Sequence, residues 1–259
     1  MGGKGLFVKE IEDAILRGEV DLAVHSLKDV PGVLPEGLAL VAFPPREDPR
    51  DAFVGRTAPT LAALPAGARV GTSSLRRLVQ LRALRPDLEG VSVRGNVGTR
   101  LDKLDRGDLD AILLAAAGLR RLGLEARATE WLPVEAMLPA VGQGVIAVEA
   151  RADDRQTGAL LQALRDPVTE RAVAVERAFL RRMEGSCQVP LAAHAREVGG
   201  RTRVDAFVAS LDGRRTISAV RDLPGDASFD ALEAAGCSLA EELLGRGGAE
   251  ILAEIAAAG

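Results

Sequence analysis

Three observations predict an α/β fold with a largely parallel sheet, followed by a separate antiparallel α+β region. Over residues 51–138 short apolar runs alternate with helical stretches, the rhythm of consecutive βαβ units. Residues 111–117 are nearly all apolar, as expected of a strand covered on both faces. After Pro190 the pattern changes to three strand-like runs joined by glycine-rich turns, which reads as an antiparallel sheet.

Taken in order, residues 6–17 read as a helix with Leu6, Ile11, Ile15 and Leu16 broadly on one face. Gly18 ends it, and residues 20–24 alternate as a strand. Pro31 and Pro35 break the chain before a second strand at 38–43. Pro44-Pro45-Arg46-Glu47-Asp48-Pro49 is stiff and polar, suiting a hinge. Residues 69–71 start a strand and 75–84 its helix; 90–93 and 97–104 repeat the pair, and 111–117 follow as strand. Pro139-Ala140-Val141-Gly142-Gln143-Gly144 makes a second crossing. A strand at 145–149, a helix at 157–164 and a long helix at 168–183 lead into Glu184-Gly185-Ser186-Cys187-Gln188-Val189-Pro190. Strands at 191–196, 203–210 and 216–221, with turns at Gly199-Gly200 and Asp212-Gly213, precede helices at 229–244 and 249–258. There is no internal repeat and no low-complexity segment.

The chain's 259 residues allow two or three domains and a sizeable core. Hydrophobic residues make up 47% and charged residues 27%, ordinary for a globular protein. A net charge of −4 argues against general binding of nucleic acid or membrane. Lysine occurs only at Lys4, Lys9, Lys28 and Lys103, so nearly all positive charge is arginine. The two cysteines, Cys187 and Cys237, make no disulfide framework, which fits a reducing cytosol. No apolar run approaches the roughly 20 residues that span a bilayer. The opening residues lack the apolar core of a signal peptide, so the expected location is the cytoplasm.

Two apolar runs end in small-residue turns that carry arginines: Gly71-Thr72-Ser73-Ser74-Leu75-Arg76-Arg77 and Val93-Arg94-Gly95-Asn96-Val97-Gly98-Thr99-Arg100. A third leads into Gly118-Leu119-Arg120-Arg121. Planar guanidinium forks beside helix starts suit carboxylates or phosphates. Three such turns point to a ligand with many negative groups; surface ion pairs are the alternative. Asp29, in His25-Ser26-Leu27-Lys28-Asp29-Val30-Pro31, reads either as a turn aspartate or as a cleft carboxylate kept ionised by Lys28. Cys187 reads as a small buried hydrophobe or, from its loop at a helix end, as a nucleophile or attachment point. His25 and His194 read as packed residues and Cys237 as core. The histidines and cysteines show no metal-ligand spacing, and neither nucleotide-binding glycine motif occurs.

Together these segments resemble the porphobilinogen deaminase (hydroxymethylbilane synthase) family. The resemblance is carried by Gly2-Gly3-Lys4-Gly5-Leu6-Phe7, His25 to Pro31, Arg46-Glu47-Asp48-Pro49-Arg50-Asp51, Gly71 to Arg77, Arg94 to Arg100, Ala117 to Gly123, Leu138 to Gly144 and Gly185 to Pro190, in that order. It implies two α/β domains related to type II periplasmic binding proteins, plus a C-terminal α+β domain with a three-stranded antiparallel sheet. The implied division is 1–44 with 145–164, then 50–138, then 167–259, with hinges at 45–49 and 139–144. The implied reaction joins porphobilinogen units head to tail, with loss of ammonia, into hydroxymethylbilane on a covalent dipyrromethane cofactor. By resemblance Cys187 is the thioether attachment point and Asp29 the catalytic carboxylate. Arg76, Arg77, Arg94, Arg100 and Arg121 hold acetate and propionate groups. Lys28, Thr72, Ser73, Ser74 and Gln143 are further contacts, no metal is implied, and a monomer is expected.

One departure stands out. The family normally begins with a strand–helix–strand block carrying an Arg-x-Ser-x-Leu-Ala motif, and that motif is absent here. A misplaced start or truncated sequence is expected, with an opened first sheet and apolar surface along its edge. A short isoform, or an inactive relative that only binds polycarboxylates by hinge closure, is the alternative.

Overall fold

The computed structural model describes residues 3–183 and 189–258. The chain opens with α1 (Gly3–Leu16), then β1 (Leu22–Ser26), one 3-10 turn at Leu27–Asp29, and β2 (Leu38–Ala42). It crosses to β3 (Asp51–Gly55), β4 (Arg69–Gly71), α2 (Leu75–Leu84), β5 (Glu89–Val91), α3 (Val97–Asp105), β6 (Ala111–Ala115), α4 (Ala116–Arg121) and β7 (Glu130–Leu132). A second crossing leads to β8 (Ile146–Arg151), α5 (Arg155–Leu161) and α6 (Pro167–Arg182). Last come β9 (Leu191–Val198), β10 (Arg201–Ala209), β11 (Thr216–Pro224), α7 (Phe229–Leu243) and α8 (Ala249–Ala258).

Local sequence explains most boundaries. Ser74, Asn96 and Asp166 accept from the backbone N–H three residues on and so cap α2, α3 and α6. Pro167 adds a pre-set φ at the start of α6. Strand β6 is shorter than its apolar run because Ala116 already turns into α4, its N–H donating to Arg50 O at 3.0 Å. Likewise β1 starts at Leu22, since Glu19 N–H still closes the end of α1 on Ala14 O.

Three sheets result, in the orders β1-β8-β2, β5-β4-β6-β3-β7 and β11-β10-β9. The expectation of a largely parallel sheet needs correction. In the five-stranded sheet β4 pairs parallel with β5 and β6, whereas β3 pairs antiparallel with β6 and β7. In the first sheet β8 is antiparallel to both neighbours. The reason is where the crossings lie. Strands β3 and β8 each begin just after a crossing and run away from it; their neighbours end near it. Both faces of the central sheet are covered by separate apolar clusters, one around Phe53, Leu81 and Leu113 and one around Leu101, Ile112 and Leu119. At the free side of the first sheet, β1 turns Leu22 and Val24 outward, Val24 at 62% exposure.

The two crossings are clamped to each other. Glu47 N–H donates to Gly144 O at 3.0 Å, and a Cβ at Gly144 would lie 2.3 Å from Glu47 O. Gly144 also has φ +84°, so glycine is required there twice over. The clamp is anchored by Glu176 of α6, fully buried. Its carboxylate takes Arg46 Nη1 at 2.6 Å, Gly142 N–H at 2.7 Å and Ala195 N–H at 2.8 Å, with His194 Nδ1 at 3.5 Å. Burial alone would raise this carboxyl, but Arg46 and His194 outweigh it and bring it down to about 2 from 4.5. A depressed acid stabilises the fold above its ordinary value, and that stability is lost as pH falls from about 4.5 towards about 2. Acid unfolding followed by circular dichroism should therefore lose part of its slope in that window in Glu176→Gln. Glu176→Ala, which leaves Arg46 buried without its partner, should cost about 3–5 kcal/mol in urea unfolding.

Candidate functional site

The carboxyl ends of β4, β5 and β6 meet on the side of the crossings, where ligands bind in open α/β sheets. The loop after β4 is pinned there by its own small residues. Thr72 N–H donates to Val91 O at 2.8 Å, and Ser73 Oγ donates to Val93 O at 2.5 Å. Thr72 Oγ1 accepts Ser74 N–H at 3.2 Å. These bonds hold the start of α2 against the end of β5.

Arg76 and Arg77 leave that helix start inward, each 5% exposed. Asp51, at the head of β3 and fully buried, takes Arg77 Nε at 3.0 Å and Nη2 at 2.7 Å on one oxygen. Arg76 Nη2 sits 2.8 Å from its other oxygen as a charge contact lacking hydrogen-bond alignment. Gln143 completes the frame, donating to Asp51 Oδ1 at 2.9 Å and Pro49 O at 2.6 Å. Burial would raise the Asp51 carboxyl, but Arg76, Arg77 and Gln143 lower it from 3.8 to about 2. Two of the expected forks are thus held by the protein's own carboxylate.

The remaining arginines stand differently. Arg94 and Arg121 are exposed and have no carboxylate partner among the described residues. Arg100 is half-buried, and its Nε donates only to Gly95 O at 2.9 Å. Burial, then the like charge of Arg77, pull its guanidinium below the usual range. Arg120, beside Arg121, is instead drawn to the first crossing, 3.0 Å from Glu47 and 3.1 Å from Asp48. Trp131 receives Arg50 and Arg120 over its ring, both at 5.6 Å.

Across from α2 stands the 3-10 turn that carries Lys28 and Asp29, both half-buried. Gly142 of the second crossing packs on it so closely that a Cβ would meet the Leu27 side chain at 2.6 Å. Burial, then Arg77, push the Lys28 ammonium down from 10.5 to about 8, with Asp29 and Asp51 opposing. Lys28, Arg76, Arg77 and Arg100 therefore feel one another, and the cleft holds excess positive charge inside a chain of net charge −4. Bound carboxylates would relieve that repulsion. Cys187 lies outside the described residues. Cys237 is only partly buried where core was expected, its Sγ 3.9 Å from Ala178 O.

Two family profiles match the chain. Residues 1–159 match the dipyrromethane cofactor binding domain of porphobilinogen deaminase, and residues 171–245 match its C-terminal domain. The chain belongs to the porphobilinogen deaminase family. Porphobilinogen deaminase of Geobacter sulfurreducens is 52% identical over 255 residues, covering 98% of this chain and 79% of that protein. The Pelobacter propionicus enzyme is 54% identical over 256 residues, covering 98% and 81%. A periplasmic substrate-binding protein of Coxiella burnetii is similar in structure at a TM-score of 0.41 and 17% identity, covering 64% of this chain and 79% of that one.

Sequence reasoning passed over Asp51, Glu176 and Arg46 as individual residues. Asp51 closes the motif Arg46 to Asp51 and opens an apolar strand, and Glu176 interrupts the apolar face of α6. A charge placed on a core face is the signal that could have found both. Because the unfolded chain keeps the Lys28 proton to a higher pH than the folded one, stability should rise with pH between about 8 and 10.5. Urea unfolding across that range should show the rise, and Lys28→Met should flatten it.

Proposed function

We propose that this chain is a hydroxymethylbilane synthase, a transferase that condenses porphobilinogen head to tail with release of ammonia in tetrapyrrole biosynthesis. The observation that carries this reading is the excess of positive charge in the cleft that holds Lys28, Arg76, Arg77 and Arg100, in a chain of the porphobilinogen deaminase family. Each pyrrole brings two carboxylates, so an oligopyrrole needs several cationic forks at once.

The described residues fit the family's dipyrromethane group, because Arg94, Arg100 and Arg121 keep guanidinium donors that no carboxylate among those residues occupies. When bound, that group supplies the pyrrole carbon to which the first substrate is joined. Arg94, Arg100 and Arg121, with Thr72, Ser73 and Ser74, would hold its acetates and propionates and those of the growing chain. Arg76, Arg77 and Gln143 support the reading as a buried frame, since Asp51 and main-chain oxygens engage them. They keep positive potential under the cleft floor.

In this reading Asp29 is the catalytic carboxylate. It accepts the pyrrole N–H and stabilises the cation left when ammonia departs. Lys28 meets a substrate carboxylate and is partly neutralised by it. Cys187, as thiolate, forms the thioether that tethers the cofactor. The domains are proposed as 1–44 with 145–164, 50–138 and 167–259, hinged at 45–49 and 139–144. We further propose a cytoplasmic monomer without nucleic-acid or membrane partners. In support, no described helix is long and apolar enough to cross a membrane.

Intact mass spectrometry of protein made with porphobilinogen available should show a dipyrromethane-sized increment that Cys187→Ala lacks. A mass equal to the bare polypeptide would sink the enzyme reading. Asp29→Ala should lower turnover by at least about a hundredfold while leaving the melting temperature close to wild type. Arg100→Leu should impair cofactor assembly or elongation more than folding, read as activity against thermal melt.

A further inference from the structure

The turn that carries Asp29 is gripped at both ends by one buried polar cluster that the reaction itself does not use. On its leading side, His25 of β1 places Nε2 2.8 Å from Glu149 Oε2 of β8, and both side chains are buried. On its trailing side, Arg177 of α6 reaches over and donates Nη2 to Pro31 O at 3.0 Å and Gly32 O at 3.1 Å. The backbone at Gly32 approaches α6 closely, its Cβ position lying 3.4 Å from Arg181 N and from the Leu180 side chain. Between these grips Leu27 and Val30 pack against Val145, Ala147 and Val173. One stripe of α6, built of Val173, Arg177, Leu180 and Arg181, thus forms the bed of the turn.

The two grips belong together. Glu149 acts on the Arg177 guanidinium, which burial and Arg181 pull down to about 10. Glu12 of α1 is raised by burial and by Glu149, with His25 opposing and Asp13 adding. Glu12 Oε1, Glu149 Oε1 and Arg177 Nη1 are all buried without a hydrogen-bond partner among the described residues. Charged groups are seldom left in this state in a core unless their position is needed.

We propose that Arg177, together with the His25–Glu149 pair, positions the Lys28-Asp29 turn, so that helix α6 sets where the Asp29 carboxylate stands. This rests on the proposed role of Asp29. Arg177 touches neither substrate nor cofactor; it acts through Pro31 and Gly32. A carboxylate that must face a developing cation loses much of its effect when displaced by an ångström.

The test is steady-state kinetics with porphobilinogen on the purified enzyme. Arg177→Gln should lower kcat by roughly tenfold or more with KM little changed. Arg177→Lys, which keeps a donor for the two carbonyls, should recover a large part of the loss. Gly32→Val adds bulk against Leu180 and Arg181, shifts the turn relative to α6 while keeping every charged group of the cluster, and should reproduce the kcat loss. Arg171→Gln is the control. Arg171 lies on the same helix and holds Ala227 O and Gly225 O, both at 2.7 Å, far from the turn. It should lower the melting temperature and leave kcat unchanged. Wild-type kcat in a folded Arg177→Gln or in Gly32→Val, with Asp29→Asn inactive, would overturn this inference alone. An equal kcat loss in Arg171→Gln would also overturn it, as a general stability effect. Wild-type turnover in Asp29→Asn would instead remove the reading on which it rests.

Discussion

Where the chain passes between its first two sheets and its last, a single carboxylate, Glu176, is taken out of water and surrounded by donors. Arg46 comes from one crossing, Gly142 from the other, and Ala195 from the strand that opens the third sheet. An isolated buried charge is too costly to persist, so each donor must arrive for the others to be tolerated. The order of the sheets follows from this meeting point. Strands that begin at it, β3 and β8, run outward, and their neighbours return towards it. The loops that follow β4, β5 and β6 are consequently delivered to the side of the crossings.

Positive charge in the cleft is then held in part by the protein itself. Asp51 engages both Arg76 and Arg77, offsets one of their two charges, and in doing so fixes the start of α2. Arg94, Arg100 and Arg121 have no carboxylate partner among the described residues. Burial, and then repulsion from Arg77, lower the Lys28 ammonium and the Arg100 guanidinium in the free protein. The same repulsion makes the cleft favourable for a ligand with several carboxylates. Electrostatic strain in the empty site and affinity in the filled one have a common origin.

Sequence pattern made much of this architecture legible, for identifiable reasons. Helix α2 runs over the residues expected because Ser74 caps it and an apolar stripe carries it. The strand at 111–115 stood out because both of its faces are buried. Direction was not legible: β3 and β7 have the composition of any strand, and only the crossing geometry turns them antiparallel to their neighbours. Nor was the partnership of Arg76 and Arg77 with Asp51, which depends on residues some 26 positions apart meeting in space. Asp29 and the arginine turns stood out in the sequence as charged residues next to turns that follow apolar runs. Which arginines remain open could not be read, because a guanidinium's availability is a property of its neighbours. Cys187 lies outside the described residues.

Trp131 gives the crossing a property of another kind. The chain has one tryptophan and no tyrosine, so excitation of its aromatic absorption in the near ultraviolet addresses a single indole. That indole lies under two guanidinium groups, Arg50 and Arg120, which also bind the carboxylates of Glu47 and Asp48 in the first crossing. Any rotation of one sheet against another that pulls this crossing from α4 must strip a cation from the ring. The protein therefore carries, without labelling, an optical gauge whose emission is tied to its first crossing.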